Sequence, residues 1–294
     1  MRISLGMIAE SSLRNIEANQ NRLETLQNQI TSGSRITKPS DDPIGAAQAL
    51  DLLESLDQSQ QYGRNIDQAV SWLNTSDTAL QSVTDSLHRA RELAVQAANG
   101  TLSASDRGAI QSEINQIQQH VLDLTNSKYG AYFLFSGTRT DQKGYTQANP
   151  STTAGAYQGN SAQVLREISP GVTVAINVDP TSTFDPVFTA LNQLQTGLTT
   201  SDTTTLENSL ASFDTALDSV STARGQLGAR VNRLDAQKQR QDSVSVNLTG
   251  LLSNVKDVDM AAAITNFSTA QTVFQASLKA SAQSMQLSLL DFLH

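Results

Sequence analysis

No cysteine occurs among the 294 residues, which removes disulfides, thiolate metal sites and thiol nucleophiles together. Histidine is nearly as scarce. Of three, His88 and His120 are far apart and His294 is the last residue, so no pair of imidazoles at helical spacing is available to a metal. No glycine loop of the phosphate-cradling kind and no nucleophile elbow is present. No stretch approaches about 18 consecutive apolar residues, the length a membrane helix needs. Met1 to Glu10 lacks the cationic segment and the roughly 7–15 apolar residues of a cleaved secretory signal. The expectation is a soluble chain that, if exported, uses a route reading something other than a cleaved signal.

Aromatic residues make up 5% and charged residues 16% of the chain, with Gln, Asn, Ser and Thr filling the gap. That mixture suits helices with narrow apolar stripes better than a thick globular core. A net charge of -8 repels phosphate backbones and anionic lipid, so neither nucleic acid nor a membrane surface is an expected partner. No enzymatic activity, cofactor or metal is expected.

What the chain does have is a seven-residue recurrence of apolar residues, which keeps one seam of a helix turned toward a partner helix. It occurs five times. The first run carries Leu5, Ile16, Leu23, Leu26 and Ile30, with Ser12 and Asn19 interrupting one of its two lines. The second carries Ile66, Leu73, Leu80, Leu87 and Ala94 and stops at a C-cap expected at Asn99-Gly100. The third, with Ser105 as its expected N-cap, carries Ile110, Ile114, Ile117, Val121 and Leu124 and ends near Tyr129-Gly130. The fourth, Leu206 through Phe213, Val220, Leu227, Leu234, Gln241 and Leu248, predicts a helix on the order of 65 Å long. The fifth closes the chain with Ile264, Phe267, Phe274, Leu278, Met285 and Phe292, and Leu289 lies in the same terminal segment.

Between Ala131 and Pro180 the pattern changes to short β-like segments. Gln163–Ile168 and Val172–Val178 flank Ser169-Pro170-Gly171, which reads as a hairpin, and a short helix from about Asp185 to Leu198 leads back. The expected fold is therefore mainly α: an elongated bundle of long coiled-coil-like helices formed by both chain ends, with a small β-rich excursion at the distal tip. The expected division is 1–40 with 255–294 as a terminal assembly domain, 41–130 with 183–254 as a helical rod, and 131–182 as a small outer domain. Both ends carry stripes that an isolated helix cannot bury, so they pair with each other or with neighbouring subunits.

Two short segments stand out. In Ser32 to Ala47, Gly33 is placed to end the first helix in a left-handed conformation, Asp42 to cap the next, and Pro43 to occupy its first position. Asp41 and Asp42 could instead bind a metal, but adjacent carboxylates ahead of a helix more often serve as a cap. In Arg224 to Leu234, Gly225 and Gly228 fall inside the long helix, each at a cost of about 1 kcal/mol relative to alanine. A close helix neighbour would account for them, and Arg224, Arg230 and Arg233 are placed to bond between helices or between subunits.

These segments resemble the flagellin superfamily, Ser32–Ala47 (Gly33, Arg35, Ser40, Asp41, Asp42, Pro43) matching its N-terminal signature and Arg224–Leu234 (Arg224, Gly228, Asn232, Arg233) its counterpart in the returning helix. Tyr132-Phe133-Leu134-Phe135-Ser136-Gly137-Thr138, Gln275–Ala280 and the ending Ser288–Leu293 resemble the branch that joins hook to filament more than filament subunits. The resemblance implies a structural subunit of the bacterial flagellum, exported unfolded through the flagellar type III apparatus and held beforehand by a cytoplasmic chaperone. It implies copies arranged in a ring between the hook-side associated protein and flagellin, at an extracellular location. Its rivals are filament flagellin itself, a secreted coiled-coil adhesin, and an enzyme that uses helices for assembly.

Overall fold

The computed structural model describes residues 5–99, 102–146 and 157–292, with only the helical backbone given for residues 5, 6, 8, 9 and 284–292. Among the described residues the chain forms six helices and two small two-stranded antiparallel sheets. The helices are α1 (Leu5–Ser32), α2 (Pro43–Ala97), α3 (Ala104–Thr125), α4 (Pro180–Thr200), α5 (Thr203–Lys256) and α6 (Met260–Phe292). The strands are β1 (Lys128–Tyr129) with β2 (Tyr132–Phe133), and β3 (Leu165–Ser169) with β4 (Val172–Ala175). The mainly helical architecture expected from the heptad runs is the observed one, and α5, at 54 residues, is about 80 Å long.

Several boundaries differ from the sequence reading, each for a local reason. α3 is capped by Ser103 rather than Ser105: Ser103 and Asp106 form a reciprocal capping box, each side chain accepting from the other's backbone N–H. That helix ends at Thr125, short of Tyr129, because Asn126 caps it and the chain turns directly into β1. α4 starts at Pro180, five residues before Asp185, because the Asp179 carboxylate caps it and Pro180 takes the first helical position. α2 ends at Ala97, and the Gly100 of its expected cap lies outside the described residues. The hairpin at Ser169-Pro170-Gly171 is present, with Gly171 at φ 69°.

The described chain divides into two compact units, residues 59–243 and residues 1–58 with 244–294. The apolar core belongs to residues 59–243. Its spine is an antiparallel seam between α2 and α5. The side-chain amide of Gln241 donates to the Ser59 hydroxyl at 2.7 Å. Stepping inward seven residues at a time along both helices reaches Ile66 and Leu234, Leu73 and Leu227, Leu80 and Val220, Leu87 and Phe213, and Ala94 and Leu206. Every one of these is at most 1% exposed. Ion pairs cross the same two helices: Asp77 to Arg224 at 2.8 Å, Asp214 to Arg91 at 3.0 Å, and Asp67 to Lys238.

The β segments share this core. Phe135 meets Phe184 of α4 edge-on at 4.9 Å between ring centroids, and Tyr145 lies 5.2 Å from Phe188. The buried Tyr145 hydroxyl donates to the Pro180 carbonyl at 3.0 Å. Ile168, Val174 and Ile176 are buried in the same cluster.

Candidate assembly interface

The unit made of the two chain ends is built differently. α1 and α6 pack antiparallel, the Asn19 amide donating to the Ser277 hydroxyl at 3.4 Å. On α1 the inward line is Ile16, Asn19, Leu23, Leu26 and Ile30, all half-buried; on α6 it is Ala263, Phe267, Ala270, Phe274 and Ser277, buried or half-buried. These 3–4 spacings are those of two facing coiled-coil seams. Ile264, 54% exposed, and Leu278, 43% exposed, lie beside the α6 seam rather than on it. The side chains of Leu5, Met285, Leu289 and Phe292 lie outside the described residues.

Leu13, Ile44, Leu50, Val246, Leu251 and Ile264 are exposed in this unit. Among the described residues its buried apolar side chains are Ile36, Ala49, Ala263 and Ala270, far fewer than in the unit of residues 59–243. Ile36, Pro39, Ala49, Leu50 and Leu53 line an apolar notch of ≈ 170 Å³. A monomeric protein seldom leaves so much apolar side chain in water without a partner for it.

The loop between α1 and α2 fastens this unit across the break between α5 and α6. Gly33 follows α1 at φ 68°, the left-handed conformation expected of it. Its carbonyl accepts from the Val258 N–H at 3.1 Å. A helix leaves its last carbonyls without partners, and here residues 34 and 35 supply them. The Lys256 carbonyl accepts from the Arg35 N–H at 2.6 Å and the Ser34 hydroxyl at 3.1 Å, and the Val255 carbonyl accepts from Arg35 Nη2 at 2.8 Å. Arg35 Nη1 reaches the Asp42 carboxylate at 3.2 Å.

Asp41 and Asp42 each have a local task. Asp41 Oδ2 accepts from the Thr37 hydroxyl at 2.8 Å, the Lys38 N–H at 2.8 Å and the Thr37 N–H at 3.1 Å. The Thr37 hydroxyl and the Lys38 N–H hold its carboxyl below the usual carboxylate range. Asp42 Oδ1 accepts from the Gly45 N–H at 2.9 Å, capping α2 ahead of Pro43 as the sequence suggests. That N–H and then Arg35 lower the Asp42 pKa. Ser40 is exposed.

The second signature segment stays within the unit of residues 59–243. Arg224 pairs with Asp77, and Arg230 donates to the Asn177 carbonyl. Both bonds are therefore made inside the chain. Gly225 and Gly228 have no atom within 4 Å of where a Cβ would stand. No close neighbour of the kind expected for them is found among the described residues, because Ala223, Leu227 and Leu234 turn to the core while the glycines, Asn232 and Arg233 face outward. Sequence reasoning assigned no role to Ser34 or Gly45. A Cβ on Gly45 would stand 2.5 Å from Asp42 Oδ2 and 2.7 Å from Ile36 Cδ1. For Gly45, a glycine three residues after a capping aspartate was the available signal.

The model of the bacterial flagellin N-terminal helical region matches residues 3–140, and that of the bacterial flagellin C-terminal helical region matches residues 210–293, together about three quarters of the chain. Flagellar hook-associated protein 3 of Escherichia coli K12 is 26% identical over 98% of this chain and 98% of its own length. A flagellin of Halalkalibacterium halodurans is 26% identical over 97% and 96%. Among solved structures, a flagellar hook-associated protein from Vibrio parahaemolyticus superposes with a TM-score of 0.68 at 26% identity, covering 74% of this chain and all of that one. Similarity along both terminal helical regions, on a fold whose chain ends pair as helices, places this chain in the bacterial flagellin family.

Proposed function

We propose that this chain is a structural subunit of the bacterial flagellum and forms the junction that connects the hook to the flagellin filament. It acts as a building block and not as an enzyme. The observation that carries the reading is the uneven distribution of apolar surface. The core is complete within residues 59–243, while the paired chain ends hold a half-buried seam and exposed apolar residues. Such surface is what subunits bury against one another. Superposition on a solved hook-associated protein, together with the sequence similarity to hook-associated protein 3, favours the junction over the filament.

In this reading residues 1–40 with 255–294 are the assembly portion. Leu23, Leu26, Phe267 and Phe274 close the α1–α6 seam, and Ile264 and Leu278 meet neighbouring subunits. Residues 41–130 with 183–254 form the supporting rod and 131–182 the outer part. The partners are further copies in a ring, the hook-side associated protein on one side and flagellin on the other. The chain reaches the cell exterior through the flagellar export apparatus, after release from a cytoplasmic chaperone.

Labelling the protein on intact flagella and imaging them tests this directly. A band confined to the hook end supports the junction. Label along the whole filament makes the chain a flagellin, and no label on flagella overturns both readings.

A further inference from the structure

α3 and α4 pack along an antiparallel seam whose apolar members are regularly spaced. Ile110, Ile114 and Ile117 on α3 and Leu191, Leu194 and Leu198 on α4 all belong to the core. Both lines step by threes and fours, as facing coiled-coil seams do. Such a seam is indifferent to a slip of one heptad, because Ile117 would then take the place of Ile110 and Val121 that of Ile114.

Three polar rungs run beside it. Gln111 Nε2 donates to the Thr199 hydroxyl at 3.0 Å, Gln195 Nε2 to Asn115 Oδ1 at 2.7 Å, and Gln118 Nε2 to Asn192 Oδ1 at 2.8 Å. Each step forward along α3 matches an equal step back along α4, so all three fit a single register. Gln118 is 5% exposed, and its amide depends on Asn192 for a partner. A slip of one heptad would turn the Gln195 amide toward Leu122. Pairing α3 with α2 or α5 instead would turn the Gln118 amide toward lines of buried apolar residues such as Leu73, Leu80, Val220 and Leu227. A buried amide left unbonded costs more than a bonded one gains, so the wrong arrangements are penalised more than the right one is stabilised.

We propose that the three rungs select the partner and the register of α3, which the shared heptad period leaves open, while contributing little to stability. Polar residues at seam positions fix register in coiled coils in this way, at some loss of stability. The inference concerns the folding of the single chain and holds whatever the chain assembles with.

The chain has no cysteine, so an introduced thiol pair reports the register without background. Asn115→Cys with Gln195→Cys replaces the middle rung, whose Gln195 Oε1 finds no partner among the described residues. A short bis-maleimide then closes the pair within one chain when α3 and α4 are in register. With the outer two rungs intact, nearly every chain should close. When Gln111→Ala, Gln118→Leu and Asn192→Leu are added, closure within the chain should fall at least about twofold, with the melting temperature unchanged or raised. Poor closure with the outer rungs intact, or undiminished closure in the folded rung-free protein, overturns the proposal. So does a melting temperature lowered by many degrees, which would make the rungs plain stabilisers. Should the rung-free protein fail to fold, Gln118→Met alone in the thiol-pair chain decides. Closure lowered about twofold supports the selection; unchanged closure overturns it.

Discussion

Arg35 Nη2 donates to the main-chain carbonyl of Val255 at 2.8 Å, so a residue just past the first helix closes the last turn of another helix 220 positions later. Its own backbone N–H takes the next carbonyl, that of Lys256. With Ser34 and Gly33 it bridges the α5–α6 break. Arg35→Ala should remove one charge-assisted bond to a helix-end carbonyl and the solvent-screened Asp42 pair, so the joint should loosen. Exchange protection in residues 253–262 should fall about fivefold, with the melting of the core unchanged. Unaltered protection there would mean that the backbone bonds alone fasten the joint.

The same loop should loosen in acid. Asp41 and Asp42 both have folded-state pKa values below the ordinary 3.8. Their stabilisation is therefore fully present above about pH 4 and is lost as pH falls below 3.8 through the lowered folded values. Between pH 5 and 8 neither group contributes any dependence. Amide resonances of Thr37, Lys38 and Gly45, which donate to these carboxylates, should shift together in that acid window. In Asp41→Asn the Thr37 and Lys38 shifts should vanish while that of Gly45 remains.

Gly45→Ala should harm the chain where other glycine replacements do not. The new methyl group would stand 2.5 Å from Asp42 Oδ2 and 2.7 Å from Ile36 Cδ1, so the cap or the buried Ile36 must move, at about 1–3 kcal/mol. The loss should appear as faster exchange in residues 33–50. A variant with unchanged exchange would show that the α2 cap relaxes freely.

Gly225→Ala and Gly228→Ala point the opposite way. Both positions are helical and open, so each replacement should stabilise α5 by about 0.5–1 kcal/mol, raising the melting temperature by roughly 1–4 °C. If this outward face meets another subunit closely in the flagellum, the stabilised variants should nevertheless build fewer attached filaments. Normal filaments on both variants would remove that face from the interface.

Leu23→Asp and Phe274→Asp test the seam of the chain ends. Each side chain is half-buried between α1 and α6, where an unpaired carboxylate is costly. Cells carrying either variant should export it and shed unpolymerised flagellin, while the purified protein keeps the main melting transition of residues 59–243. A transition lowered by many degrees would make the ends part of one cooperative core, and normal filaments would make the seam dispensable.

The sequence by itself determined whatever depends on neighbours a few positions away. Heptad spacing marked the long helices, Gly33 marked the end of α1, Asp42 with Pro43 marked the start of α2, and Pro170-Gly171 marked the hairpin. The physical reasons are local: a repeat of seven keeps one face apolar, and caps are satisfied within one turn. Even the interruption at Gln241 was visible as a polar residue on an apolar line. The tertiary structure decided which seam meets which, because five runs with one period are interchangeable until contacts distant in sequence choose among them. Ser59 opposite Gln241, Arg35 on Val255, and Phe135 against Phe184 join residues 49 to 220 positions apart. The same contacts turned Gly225 and Gly228 outward: a helical period shows that a face exists, and only the packed molecule shows that none of the described residues covers it.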